Sequence, residues 1–368
     1  MNSTLGIIIT GDNNIKMKEL TVKRSVAAVG YGGRYRAIDF VLSNMINSGI
    51  NKVGVVTQYG YRSLMDHLGS GREWDLDRRM EGLCLFPPCY AGTDNIWYQG
   101  SADGMYHNMT FLCRSTEEYV LITTGNCIYK MDYTPLMEQH MKSGADISVC
   151  CRDMADLDPE ELKHFGIVQM NEDNRIVEMN EKPMHPKGTM ASMGVYLLKR
   201  TLLIELLEES ASKGLYDFVR DILVRKVEDL NIIGYVFDSY WRSMSSIPLF
   251  YKANMELLQP EIRKELFIDG GKIFTKVKDE TPSRYNEEAE VSNSIIANGC
   301  IIEGTVVNSV LFRGVKVGRG TVIKDCIVMQ DTVVNDNVSL TNVILDKEGT
   351  IFEGKVLKGE ENYPFIVG

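Results

Sequence analysis

Ile295-Ile296-Ala297-Asn298-Gly299-Cys300-Ile301-Ile302-Glu303-Gly304-Thr305-Val306-Val307-Asn308-Ser309-Val310-Leu311 opens a stretch in which apolar pairs recur every five or six positions. The pairs continue through Val315/Val317, Val322-Ile323, Ile327-Val328, Val333-Val334, Val338, Val343-Ile344 and Ile351. Gly, Asn, Asp and Thr fill the intervals, as in Gly318-Arg319-Gly320-Thr321. A hexapeptide period of this kind predicts a left-handed parallel β-helix. Each coil has three short strands, one apolar side chain per strand turns inward, and Gly or Asn supplies the corners. A β-sandwich of short strands is the competing reading, and so many clusters at near-constant spacing speak against it.

Upstream of this stretch the pattern changes. Leu5–Thr10, Val53–Thr57, Tyr119–Gly125 and Asp146–Cys151 are short apolar runs that read as buried strands. Helical stretches lie between them, at about 40–47, 102–113 and 137–141, with a last amphipathic one near 247–258. Strands alternating with helices imply βαβ units and a parallel sheet covered on both faces. The predicted organisation is therefore an α/β domain over 1–258, a linker over 259–285 and the β-helix over 286–368.

Composition narrows the function classes. The 368 residues carry 40 Lys+Arg against 50 Asp+Glu, a net charge of −10, which argues against a general nucleic-acid or membrane-surface binder. No apolar run reaches the length of a membrane span. MNSTLGIIIT has no basic leader segment, so no signal peptide is expected and a cytoplasmic location is. The eight cysteines (84, 89, 113, 127, 150, 151, 300, 326) form no CxxC pair and histidines are few, so free thiols are expected rather than a zinc site or disulfides.

Three segments carry a specific resemblance. They are Gly32-Gly33-Arg34-Tyr35-Arg36-Ala37-Ile38-Asp39-Phe40-Val41-Leu42-Ser43-Asn44, then Trp97-Tyr98-Gln99-Gly100-Ser101-Ala102-Asp103, then Glu181-Lys182-Pro183 followed by Ala191–Tyr196 and Tyr240-Trp241-Arg242. In order and spacing the chain resembles the ADP-glucose pyrophosphorylase (glucose-1-phosphate adenylyltransferase) family. The resemblance implies a Rossmann-like, GT-A-like nucleotidyltransferase domain followed by the β-helix. It also implies synthesis of ADP-glucose and pyrophosphate from ATP and glucose 1-phosphate with Mg²⁺, in a tetramer under allosteric control. That chemistry needs a glycine-rich turn at the triphosphate, a basic residue on it, and carboxylates for the metal.

Against this pattern the nucleotide half departs. Where the family has G-G-x-G-x-R-L, this chain has Gly11, Asp12, Asn13, Asn14, Ile15, Lys16 and Met17. An acid at 12 opposes a polyanion; at an effective dielectric near 20, a like-charge contact at 4 Å costs about 4 kcal/mol. Gln99 and Gly100 belong to the same nucleotide-binding set. The family's two Mg²⁺ aspartates fall on Asn126 and Ser243, neutral groups that hold a hard cation weakly. Val26 stands where the family has a lysine. The sugar-phosphate half is kept: Tyr98, Glu181, Lys182, Ser192, Tyr196, Asp217, Phe218 and Trp241 fall on positions that line the glucose 1-phosphate pocket in the family. Lys23, Arg24, Arg34 and Arg36 fall near its activator site, with surface salt bridges as the plain alternative.

Within the family the chain looks like the GlgD-type regulatory subunit, partner of a catalytic subunit in a hetero-oligomer, with little or no activity of its own. No catalytic residue is expected to function, no metal or cofactor is expected on this chain, and Mg²⁺ belongs to the catalytic partner. A phosphorylated sugar effector is expected; a nucleic acid or membrane partner is not. Two other readings stay open: an active adenylyltransferase with altered metal ligands, and a sugar-phosphate sensor with no partner enzyme.

Overall fold

The apolar run that begins at Leu5 becomes an interior strand, Thr4–Ile9, of a nine-stranded sheet in a computed structural model of the chain. The structure describes residues 1, 3–10, 15–79, 81–88, 90, 91, 94, 95 and 97–368, with the backbone alone at 15, 90, 91, 94 and 95. Residues 11–14, which carry the nucleotide turn, lie outside the described residues. Thr4–Ile9 pairs in parallel with Lys52–Val56 and Tyr119–Thr124, the other two early strands, and Lys52–Val56 pairs in turn with Gly82–Phe86. Continuous Val and Ile runs suit such strands because helices cover both faces. Two apolar layers result, one on each side of the sheet.

The sheet is mixed rather than wholly parallel. Met190–Lys199 runs antiparallel to Tyr119–Thr124 and to Ile147–Asp153, and the hairpin Gly166–Met170/Ile176–Glu181 adds at its edge. A five-residue turn closes the hairpin and eight residues lead from Glu181 to Met190, and an antiparallel return needs no crossover helix. The expected helices are found at Ala37–Asn47, Ser101–His107 with Met109–Cys113, Thr134–Ser143 and Ile247–Glu256, and Tyr61–Leu68 and Arg200–Ser212 add to them. The stretch expected as linker holds a further helix, Pro260–Phe267, whose Leu266 is fully buried among Phe40 and Phe250. The Pro at its first position and apolar groups at 262, 266 and 267 are a helix signal that the charge-rich composition masks.

From Arg284 to Val367 short strands stack into three five-stranded parallel sheets, which make the left-handed β-helix. Val306, Ile323 and Leu340 succeed one another in register and point inward, fully buried. The corners take left-handed backbone at Asn308, Asp325 and Asn342, one coil apart, where a short polar side chain tolerates positive φ. One sheet face, with Val310, Ile327 and Ile344, packs on Tyr31, Phe40 and Phe250 of the α/β domain. Polar links cross the same contact. Tyr251 donates from its hydroxyl to Asp325 O at 2.7 Å, and Arg24 grips Asp346 through both Nη atoms at 2.7 and 2.9 Å.

Candidate functional site

Strand ends Ile9 and Ile122–Thr124 form the floor of a cavity of about 420 Å³ at the carboxyl edge of the parallel strands, where open α/β sheets bind ligands. Its walls bring together Asn126, Glu181, Lys182, Ser192, Tyr196, Asp217, Phe218, Trp241 and Ser243, with Lys16 at the rim. These residues span more than two hundred positions of sequence, so the cavity is a product of topology.

One wall is aromatic and buried. Phe218 lies edge-on to Tyr196, and Trp241 lies edge-on to Phe165. Tyr196 and Ser192 share a hydrogen bond of 3.1 Å, and burial, reinforced by Glu181, raises the Tyr196 phenol so that it stays protonated. Asp217 caps the π-helical segment Phe218–Leu223, accepting from Val219 N and Arg220 N at 3.0 and 2.8 Å. One of its oxygens is thus committed to backbone, and the other lies 3.3 Å from Ser101 Oγ. Lys182 takes φ +50, an uncommon conformation for a lysine, and its Nζ lies 3.5 Å from Glu181 Oε1. Gly100 is steric in origin: a Cβ there would stand 2.4 Å from Tyr216 O, the acceptor for Ala102 N and Asp103 N.

The expected set does not all converge. Tyr98 is packed in the core beneath helix Ser101–His107, donating from its hydroxyl to Pro87 O, and does not line the cavity. Gln99 and Gly100 also stand off it; Gln99 N donates to Asp103 Oδ2 at 2.8 Å. Val26 is buried against Met17 and Leu20 and faces neither pocket. His164, Ser245 and Cys127 line the cavity and were not singled out from sequence. His164 had a signal: Gly166 pairs with Glu181 in the hairpin, which sets 164 beside 182, and Lys182 N donates to Phe165 O.

Asn126 and Ser243 meet although 117 positions separate them. Trp241–Ser243 pairs antiparallel with Cys127–Tyr129, Ser243 stands opposite Cys127, and Met244 N donates to Asn126 O at 2.9 Å. This is the arrangement by which two strand-end side chains would share a cation. The donor set does not fit one. Asn126 Oδ1 faces the Cys127 thiol at 3.4 Å, Ser243 offers a neutral hydroxyl, and Asp217 is engaged as a cap. Among the described residues no group of three or more His, Cys, Asp or Glu is placed to hold a metal. Mg²⁺ prefers carboxylates and near-octahedral geometry, so no step is assigned to a metal here.

A second pocket lies between the domains. Arg34, Arg36, Lys276 and Lys278 face Arg313 and Lys347 of the β-helix across it, with Asp66 as the nearby acid. Lys347 is pushed down to about 8 by burial, then by Arg24 and Arg36, and burial also lowers Arg36 and Arg313. Burial and neighbouring cations disfavour the charged form of these groups, and an anion seated among them would favour it. Arg24 is not part of this lining. Its guanidinium pairs with Asp346 and ties the domains together, as in the salt-bridge alternative for this basic set. Lys23 is exposed and stands outside the pocket too.

The family model for nucleotidyl transferases matches residues 5–260, and the model for the GlmU-like C-terminal hexapeptide matches 278–362. The glucose-1-phosphate adenylyltransferase of Bacillus cereus is 36% identical over 99% of this chain and 96% of its own length. The chain belongs to the glucose-1-phosphate adenylyltransferase family. The relative of that name from Thermosipho africanus is 37% identical over 88% of this chain and 78% of its own, and that from Bacillus anthracis is 36% identical over 99% and 96%. The two matched regions coincide with the α/β domain and the β-helix found in the structure. Among the described residues no helix is long and apolar enough to cross a membrane.

Proposed function

We propose that this chain is a regulatory, largely non-catalytic subunit in ADP-glucose synthesis, acting with a catalytic paralogue that makes ADP-glucose and pyrophosphate from ATP and glucose 1-phosphate. The observation that carries the reading is the meeting of Asn126 and Ser243 at the cavity wall, the two places where the resemblance puts Mg²⁺ carboxylates. Phosphoryl transfer depends on charge placed at the transferring group, and two neutral side chains do not provide it. The acid at Asp12 adds to this from the sequence.

The sugar side of the cavity supports retained binding of glucose 1-phosphate. Glu181 and the Asp217 oxygen that accepts from Ser101 Oγ would accept sugar hydroxyls, Trp241 and Phe218 would cover the ring face, and Lys182 would meet the phosphate. The interdomain pocket supports regulation by a phosphorylated sugar. Its six cations come from the α/β domain, the connecting segment and the β-helix, so a polyanion seated there would bind all three together. Two β-helix faces that do not pack on the α/β domain carry exposed Ile301, Val322 and Phe352, which suits contacts with another subunit. A second reading, an active enzyme with altered ligands, draws on the same adjacency, since Asn126 and Ser243 both offer oxygen donors.

The test is to mix the purified chain with a catalytic paralogue and follow assembly by analytical ultracentrifugation, with the response of turnover to sugar phosphates alongside. A mixed oligomer with an altered effector response is expected. Separate species and an unchanged response would overturn the regulatory reading and favour a stand-alone sugar-phosphate sensor.

A further inference from the structure

At the cavity rim, Lys16, His164 and Lys182 converge from three parts of the chain. Lys16 Nζ lies 2.7 Å from His164 Nδ1 and 2.9 Å from Nε2. A neutral imidazole has one lone-pair nitrogen, so at most one of these two contacts is a hydrogen bond, and an ammonium this close to both nitrogens disfavours a second charge on His164. The surroundings give the reason. Burial lowers the His164 pKa most, and Lys16, Lys182 and Lys163 lower it further. Glu160 acts in the opposite sense, but its carboxylate is already engaged by Lys163 Nζ. Lys16 is lowered too, by burial and then by Lys182. Glu181 reaches Lys182 at 3.5 Å, so the rim holds more cationic nitrogen than carboxylate.

We propose that Lys16, His164 and Lys182 form a cradle for the phosphate of a sugar phosphate, and that the arriving ligand brings a proton onto His164. The proposal rests on the reading of this cavity as a sugar-phosphate pocket and adds to it two phosphate-binding residues, Lys16 and His164, and a coupled proton. A dianion among the three nitrogens turns their mutual repulsion into attraction. His164 then changes role, from acceptor toward Lys16 to donor toward a phosphate oxygen. The balance is simple: one proton passes from solvent to the free imidazole nitrogen, and no bond of the ligand forms or breaks. Because ligand and proton bind together, affinity falls as pH rises across the histidine range. A rise of one unit in the His164 midpoint on binding corresponds to about ten-fold in affinity. The hairpin Gly166–Met170/Ile176–Glu181 holds His164 and Lys182 in fixed relation, so the cradle needs only Lys16 to move.

Imidazole signals of the full-length chain, followed by NMR from about pH 5 to about 8.5, test this directly. The probes are sulfate, which does not titrate in that range, and glucose 1-phosphate; His164→Gln assigns the resonance. His67 lines the interdomain pocket and reports anions bound there separately. With either probe at saturation the His164 midpoint is expected to rise by about one unit. Sulfate affinity at the cavity should fall several-fold from about pH 5 to pH 8 in the parent, toward a limit of about ten-fold, and stay flat in His164→Gln, with the two proteins alike at pH 8. A midpoint unmoved by bound glucose 1-phosphate overturns the cradle and leaves the sugar-phosphate reading standing. A midpoint moved by sulfate in a chain that does not bind glucose 1-phosphate does the reverse. Binding of neither at the cavity overturns both.

Discussion

Replacing Asp346 with Asn is the perturbation whose size the structure states most directly. Arg24 and Asp346 are 322 positions apart, form two contacts of 2.7 and 2.9 Å, and keep only 6% and 13% of their side-chain surface in water. Losing one partner of a buried pair strands the other charge, at a cost of about 3–5 kcal/mol. For a chain of this length the unfolding entropy is roughly 0.8 kcal/mol per kelvin, so the melting temperature should fall by about 4–6 °C if the domains unfold together. The stranded guanidinium bears on Lys347 and Arg36 of the interdomain pocket, so an anion there should replace part of what Asp346 supplied. Calorimetry of the parent and Asp346→Asn, with and without sulfate, is the assay. Sulfate should raise the variant's melting temperature more than the parent's, by mass action on the folded state. An Arg24→Met/Asp346→Leu chain should recover most of the loss, because an apolar pair of similar bulk leaves no buried charge. A variant that melts within a degree of the parent, or gains no more from sulfate, would refute the view that this pair fastens the domains beside an anion pocket.

Other outcomes follow from the same geometry. Gly100→Ala places a Cβ 2.4 Å from Tyr216 O, against backbone that cannot swing aside, and should cost about 1–3 kcal/mol in thermal unfolding. Lys347 has a pKa of about 8 in the folded chain against the ordinary 10.5, so the unfolded chain binds the proton more strongly between those values. Its burial penalty is fully present below about pH 8 and is relieved as pH rises toward 10.5, an effect that Lys347→Met should remove. An anion in the pocket favours the charged lysine, so sulfate should stabilise the parent more at pH 7 than at pH 9. Asn126→Asp with Ser243→Asp should create a divalent-cation site detectable with Mn²⁺, while turnover stays low because Asp12 still opposes the triphosphate.

Much of the architecture could be read from periodicity. The five-to-six-residue spacing after Val291 and the apolar runs at Leu5, Val53 and Tyr119 report what each residue faces, and facing is a local property. The antiparallel strands were harder, since Met190–Lys199 has the same apolar character as a parallel strand and nothing local distinguishes it. The cavity was legible through the resemblance of Glu181, Ser192, Asp217 and Trp241 to a set that is ordered in sequence. Tyr98 misled because a motif does not say which side of a helix its aromatic ring packs on. Arg24 misled for a different reason: nothing local to it announces a carboxylate in the last β-helix coils. The interdomain pocket draws four of its six cations, Lys276, Lys278, Arg313 and Lys347, from the linker and β-helix, and each of them reads alone as surface charge.

A regulatory role means that this chain keeps the family's fold without itself performing the family's reaction. The most direct measurement is ADP-glucose formation from ATP and glucose 1-phosphate with saturating Mg²⁺, by the purified chain alone and then mixed with a catalytic paralogue. The account predicts turnover at or near background for the chain alone and a changed rate or effector response for the mixture. Robust turnover by the chain alone, abolished by substitution at Asn126 or Ser243, would contradict it.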